Sequence, residues 1–185
     1  NWNTVAVNGY KILEKINNLK NKTEMKNKVK KEFNFGGTFD KFQVNVGKEI
    51  FVDKIYEGVY PVENGDVVVD IGASVGPFTW DVMDRAEKVY ALEPHEESCK
   101  WIRKNTEGFN VEVINRALGA ETKLNVPFDG WCYDDNQKSP LTMDTISFAD
   151  FLKQYNIDKI DFLKTDCEGG EYFLFRKENI NFLKN

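Results

Sequence analysis

From residue 67 onward the hydrophobic positions fall into short continuous runs, separated by polar stretches of helical period. Val67-Val68-Val69-Asp70-Ile71, Val89-Tyr90-Ala91-Leu92, Val111-Glu112-Val113-Ile114 and Ile160-Asp161-Phe162-Leu163-Lys164 are each four or five residues long. The first is a nearly pure β-branched run, which suits a strand buried on both faces of a parallel sheet. Between the runs, Pro77 with Phe78, Val82 and Met83 predicts a helix, and Pro77 suits its first position. Glu96 to Lys104 predicts a second helix, ending near Gly108. Ser147 and Asp150 resemble a capping box that opens a helix through Tyr155, with Asp in place of Glu or Gln. Glu171 to Arg176 predicts the start of a further helix. Leu124–Val126 and Leu141–Ile146 predict short strands around a polar excursion that carries Trp131, Tyr133, Asp134 and Asp135. Strands and helices alternating at this spacing predict βαβ units with right-handed crossovers.

The first third reads differently. Tyr10, Leu13, Ile16, Leu19, Met25, Val29 and Phe33 recur mostly three to four residues apart. That predicts one or two amphipathic helices ended by Gly36-Gly37. Phe42, Val44 and Val46 alternate with polar residues, a strand signal broken by Gly47.

Composition narrows the classes. The 185 residues are 41% hydrophobic and 30% charged, as a folded domain with a small appendage requires. The net charge of −5 is uneven: residues 1–33 hold eight lysines against three glutamates, a local +5, so the rest carries −10. An acidic body argues against general nucleic-acid binding. No apolar run approaches the roughly 20 residues of a membrane span, and no signal-peptide pattern opens the chain. Cys99, Cys132 and Cys167 are far apart and odd in number, which predicts reduced thiols and a cytoplasmic setting. With His95 the single histidine, no metal site is predicted. The chain opens on Asn1-Trp2 and ends at Asn185, which predicts a piece of a longer protein.

In a parallel sheet, ligands bind beyond the carboxyl ends of the strands. Four segments sit there. In Asp70-Ile71-Gly72-Ala73-Ser74-Val75-Gly76 the two glycines admit close backbone approach, and the following helix offers free N–H groups. The loop lacks the third glycine of a dinucleotide fingerprint and has an acid before the first glycine. An acid there suits a ligand with an ammonium, a sulfonium and a ribose but no phosphate, such as S-adenosylmethionine. A plain strand-to-helix turn is the competing reading. Glu93 follows the second strand, where a carboxylate can accept both ribose hydroxyls, and Pro94 turns the chain; a solvated surface glutamate is its alternative. Asn115-Arg116-Ala117-Leu118-Gly119 follows the third strand and either edges an adenine ring or forms a simple turn. Asp166, Glu168 and Glu171 crowd the end of the last strand. Mutual repulsion there raises a pKa for a general base; a hard-cation site and acids facing a helix dipole are the other readings. His95 reads as structural or solvated.

Taken together, these stretches resemble the FkbM family of S-adenosylmethionine-dependent methyltransferases, of the Rossmann-like class I. The most distinctive is Leu163-Lys164-Thr165-Asp166-Cys167-Glu168-Gly169-Gly170-Glu171, and the resemblance runs over residues 49–185. Cys167 stands where the family often has a β-branched residue. The resemblance implies an α/β fold whose parallel strands, numbered among the four runs above, lie in the order 3-2-1-4, with the later strands of the class absent. It implies an S-adenosylmethionine-binding domain over 49–185 and an N-terminal basic helical region with a short strand over 1–48. It implies O-methylation of a hydroxyl on a small metabolite or sugar; a catalytically silent S-adenosylmethionine-binding module is the alternative. On this resemblance Asp70, Gly72, Ala73 and Gly76 hold the methionine part of the cofactor, Glu93 with Pro94 the ribose, and Arg116 and Ala117 the adenine. Asp166 and Glu168 face the transferred methyl.

Overall fold

The valine run at Val67–Ile71 forms β1, in which Val68 to Ile71 are all buried. In the computed structural model it is flanked on both sides by parallel partners. β2 (Lys88–Leu92) lies on one side, with β3 (Val111–Ile114) beyond it. The run at Phe162–Thr165, β7 in chain order, lies on the other. The resulting order β3-β2-β1-β7 is the order predicted for the four runs. The structure describes Phe33 and residues 41–58, 60–127 and 141–183. The basic helices predicted before Phe33 and the excursion with Trp131, Tyr133, Asp134 and Asp135 lie outside the described residues.

The chain divides into two compact units, Asn1–Pro61 and Val62–Asn185. In the first, Lys41–Phe51 is a helix, α1. This corrects the strand predicted at Phe42, Val44 and Val46. Three alternating positions are too few to fix a period; Ile50, one turn after Val46, is buried, and Gly47 is buried within the helix rather than breaking an element. Lys48 in its last turn pairs with Asp53 at 2.6 Å.

In the second unit, helices cross over between the strands. α2 (Pro77–Val82) has Pro77 in its first turn and Gly76 at its N-cap with φ 85°. α3 (Glu96–Asn105) opens on Glu96 and Glu97 and closes on Arg103 and Lys104, charges that complement the helix dipole. α4 (Phe148–Gln154) is capped by Ser147, whose hydroxyl accepts the Asp150 N–H at 3.1 Å. The two strands predicted around the excursion are β5 (Lys123–Pro127) and β6 (Thr142–Ser147). They join β4 (Ala117–Gly119) in a separate sheet of order β4-β6-β5. After β7, Gly170–Phe173 makes one 3-10 turn, and the next helix, α5, spans Lys177–Leu183. The helix predicted from Glu171 is therefore a single 3-10 turn there, and the α-helix starts only at Lys177.

Side chains alternate across β1 and divide the interior. Val69 and Ile71 join Leu92, Ile114, Ile146, Phe148 and Phe151 in the main apolar cluster, where Tyr90 meets the Phe151 ring edge-on at 5.9 Å. Asp70 faces α2, where Thr79 and Phe78 pack and the Phe78 and Phe162 rings lie 5.6 Å apart. The carboxyl ends of β1, β2 and β7 open on one side of the sheet, and the loops that follow them build the site.

Candidate functional site

The loop after β1 turns within a few residues. Gly72 has φ 78° and Gly76 φ 85°, a region open to glycine, and Ser74 is held at φ 53°. Gly72 is fixed by its neighbour as well as by its torsion. A Cβ on it would lie 1.9 Å from the Asp166 carbonyl oxygen and 3.1 Å from the Cys167 Cα. A Cβ on Gly76 would press the Ile102 side chain at 3.1 Å. The N–H groups of Gly72 and Ala73 both donate to the Leu92 carbonyl at 3.0 Å. The loop is thus pinned against the ends of β2 and β7 together, and Ala73 is buried beneath it.

Glu93 closes the other side. It is 8% exposed, at the end of β2. Its Oε2 accepts the Ser74 N–H at 2.8 Å, and its Oε1 accepts the His95 N–H at 2.9 Å. Burial pushes its carboxyl up to about 7, against the two amide donors that favour the charged form and with the nearby Asp70 charge adding to the rise. The turn that carries it is held by Asn115, whose Nδ2 donates to the Glu93 and Pro94 carbonyls at 3.1 and 2.9 Å. Cys99 supports the same turn, its Sγ 3.1 Å from the Glu93 carbonyl oxygen.

Asp70 is fully buried beneath the loop. Its Oδ2 accepts the Thr79 hydroxyl at 2.7 Å, and its Oδ1 pairs with the Lys164 ammonium at 2.8 Å. Lys164 also donates to the Gly72 carbonyl at 2.8 Å.

The acids after β7 separate into two kinds. Asp166 and Glu168 are exposed. Glu171 instead accepts the Cys167 N–H on Oε1 at 2.7 Å and the Gly169 N–H on Oε2 at 2.8 Å. Partial burial pushes the Glu171 carboxyl up, but the Cys167, Glu171 and Gly169 amides outweigh it and leave its pKa below the ordinary value. The expected repulsion among three acids therefore does not raise Glu171; backbone donors neutralise it. Arg116 and Ala117 are half-buried at the start of β4, with Arg116 Nη1 3.4 Å from the Thr145 carbonyl oxygen. His95 is exposed at the N-cap of α3.

A sequence profile described as "Methyltransferase FkbM domain" matches residues 70–185. The chain belongs to the FkbM methyltransferase family. Solved structures similar to this FkbM domain include a precorrin 8w decarboxylase of Methanobacterium thermoautotrophicum, 28% identical over 28% of this chain and 30% of that one, with a TM-score of 0.27. Another is a dimethyladenosine transferase of Plasmodium falciparum, 24% identical over 40% of this chain and 25% of that one, TM-score 0.30. A third is an S-adenosylmethionine-dependent methyltransferase of Leishmania major, 12% identical over 66% and 68% of the two chains, TM-score 0.38. The FkbM chain thus spans less than a third of the length of the first two. No curated protein matches it.

The cofactor of an FkbM methyltransferase is S-adenosylmethionine, and the donor set suits it. Each Glu93 oxygen takes one amide and keeps acceptor capacity for a hydroxyl. The two glycines let the loop fold tightly against Asp166 and Ile102 beside Glu93. Among the described residues no group of three or more His, Cys, Asp or Glu could hold a metal ion. Among them, too, no helix is long and apolar enough to cross a membrane.

The sequence reading gave Lys164 and Thr79 no role, and it grouped Glu171 with Asp166 and Glu168 rather than with the backbone amides that hold it. Thr79 and Glu171 carry weak local signals, a polar residue in a helix's first turn and an acid near two glycines. Lys164 lies in the most distinctive stretch of the resemblance, and its own signal is a lysine inside a strand that the sheet must bury.

Proposed function

We propose that the chain transfers a methyl group from S-adenosylmethionine to a hydroxyl oxygen of a small metabolite or sugar. The observation that supports this reading is the backbone contact of Gly72 with the Asp166 carbonyl, which sets the glycine loop beside a segment whose acids Asp166 and Glu168 are exposed. The cofactor supplies an electrophilic methyl on a sulfonium, so the protein's tasks are to bind, align and take up one proton. Gly72, Ala73 and Gly76 receive the methionine part. Asp70, buried and paired, acts by shaping that loop from beneath. Glu93 accepts the ribose hydroxyls beside Pro94, and Arg116 and Ala117 border the adenine. Asp166 holds the acceptor hydroxyl and takes its proton on a carboxylate oxygen, with Glu168 beside it. The acidic body, net −10 outside residues 1–33, favours a small acceptor over a nucleic acid. The widely spaced cysteines favour a reducing, cytoplasmic setting.

The test is transfer of labelled methyl from S-adenosylmethionine to a panel of sugars and hydroxylated metabolites, with product analysis by mass spectrometry. Asp166→Asn should lower transfer by about 10²- to 10⁴-fold, the usual worth of a positioned base, and leave S-adenosylhomocysteine affinity unchanged. Methyl found on nitrogen, or transfer indifferent to Asp166, would contradict the proposal.

A further inference from the structure

Lys164 is the one buried cation in contact with the cofactor loop among the described residues, and the chemistry above gives it no part. It is a register partner of Asp70 across the β1–β7 ladder, so both side chains leave the sheet on the same face. Their side chains are 5% and 0% exposed. Burying a lysine is costly, and an apolar pair of similar volume often serves stability as well or better. An apolar pair cannot hold a carbonyl. Lys164 donates to the Gly72 carbonyl at 2.8 Å while pairing with Asp70 Oδ1 at 2.8 Å. Thr79, from the first turn of α2, fixes the other Asp70 oxygen at 2.7 Å. The Gly72 N–H is committed to Leu92, and the space for its Cβ is filled by Asp166. The carbonyl is the remaining handle on this residue, and Lys164 holds it from two positions before Asp166.

We propose that Lys164 is a positioning residue: it ties the strand bearing Asp166 to the loop that receives the cofactor, so both sides of the transfer keep one geometry. The proposal rests on the cofactor reading above. It differs from a structural ion pair in what happens when both charges are removed together. A structural pair leaves no defect once neither charge remains. A positioning lysine leaves the Gly72 carbonyl unheld.

The experiment compares wild type, the double variant Lys164→Met/Asp70→Asn, and Lys164→Arg. Each is measured by thermal melt, by calorimetric titration with S-adenosylhomocysteine, and by hydrogen exchange of the peptide over residues 70–78. Lys164→Arg keeps the charge against Asp70 but replaces a compact ammonium with a planar fork, and it decides the question if the double variant does not fold. The expected result is a melt near wild type, binding weakened at least tenfold (about 1.4 kcal/mol), and faster exchange in the loop. Wild-type affinity in a folded variant would overturn the proposal and leave Lys164 a counter-ion. Absence of binding by folded wild type would overturn the cofactor reading itself, a different and separable failure.

Discussion

Replacing Gly72 by alanine tests how tightly the two halves of the site are joined. The substitution does two things. It places a side chain at φ 78°, which costs roughly 1–2 kcal/mol for a residue other than glycine. It also drives a Cβ to 1.9 Å from the Asp166 carbonyl oxygen. That oxygen belongs to backbone, so no rotamer change relieves the overlap. β1 and β7 must part, straining the Asp166 N–H to Ile71 bond at 3.0 Å and the Lys164 contact with Gly72 at 2.8 Å. Overpacking of this kind costs about 1–3 kcal/mol, so the total is about 2–5 kcal/mol. Gly65 provides the control. It has φ 90° and no atom within 4 Å of an added Cβ, so Gly65→Ala pays the torsion alone. At about 2–4 °C per kcal/mol for a chain of this size, Gly72→Ala should melt about 4–20 °C below wild type and Gly65→Ala about 2–8 °C. Circular dichroism melts of the three proteins decide it. Equal melting of the two variants would refute the claim that the loop and the Asp166 segment are in rigid contact.

Three further outcomes follow from other residues. With its carboxyl raised from 4.5 to about 7, Glu93 binds a proton in the folded chain over a window where the unfolded chain has released it. This group's contribution to stability therefore falls as pH rises from about 4.5 to 7. On the proposed role of Glu93, binding of S-adenosylhomocysteine should tighten as pH rises through about 7. Glu93→Gln should remove both trends in urea unfolding and calorimetry; trends that persist in the variant would assign them elsewhere. Burial pushes the Cys99 and Cys167 thiols up to about 11 and about 12, so in a Cys132→Ser background both should resist alkylation at pH 8 until denaturant is added, and rapid labelling of either would contradict their placement. Ser147→Ala removes the cap of α4 and should cost about 1 kcal/mol in urea unfolding; no change would mean the cap contributes nothing.

The parts of the site legible in the sequence are those set by local pattern. The β-branched run at Val67–Ile71 suits a strand enclosed on both faces, and its glycine loop and the following Pro77 helix were readable from residue types alone. Glu93 was legible because a strand end places it. What the sequence hid was pairing at a distance. The acid before Gly72 looks available to a ligand, yet it is consumed by Lys164, a partner from the far end of the chain. Glu171 looks like one of three competing acids, yet the left-handed turn at Glu168 and Gly169 aims backbone N–H groups at it. The misread segment at Phe42–Val46 failed for another reason: three alternating positions are too few to fix a period, whereas Val46 and the buried Ile50, four residues apart, carry the helical spacing.

The central claim is that the Gly72–Gly76 loop and Glu93 form the cofactor site, and calorimetric titration of S-adenosylhomocysteine into wild type and Glu93→Ala measures it most directly. The account predicts saturable one-site binding by wild type and loss of that binding in a variant that still melts cooperatively. Equal affinity in the two proteins, or no binding by folded wild type, would contradict it.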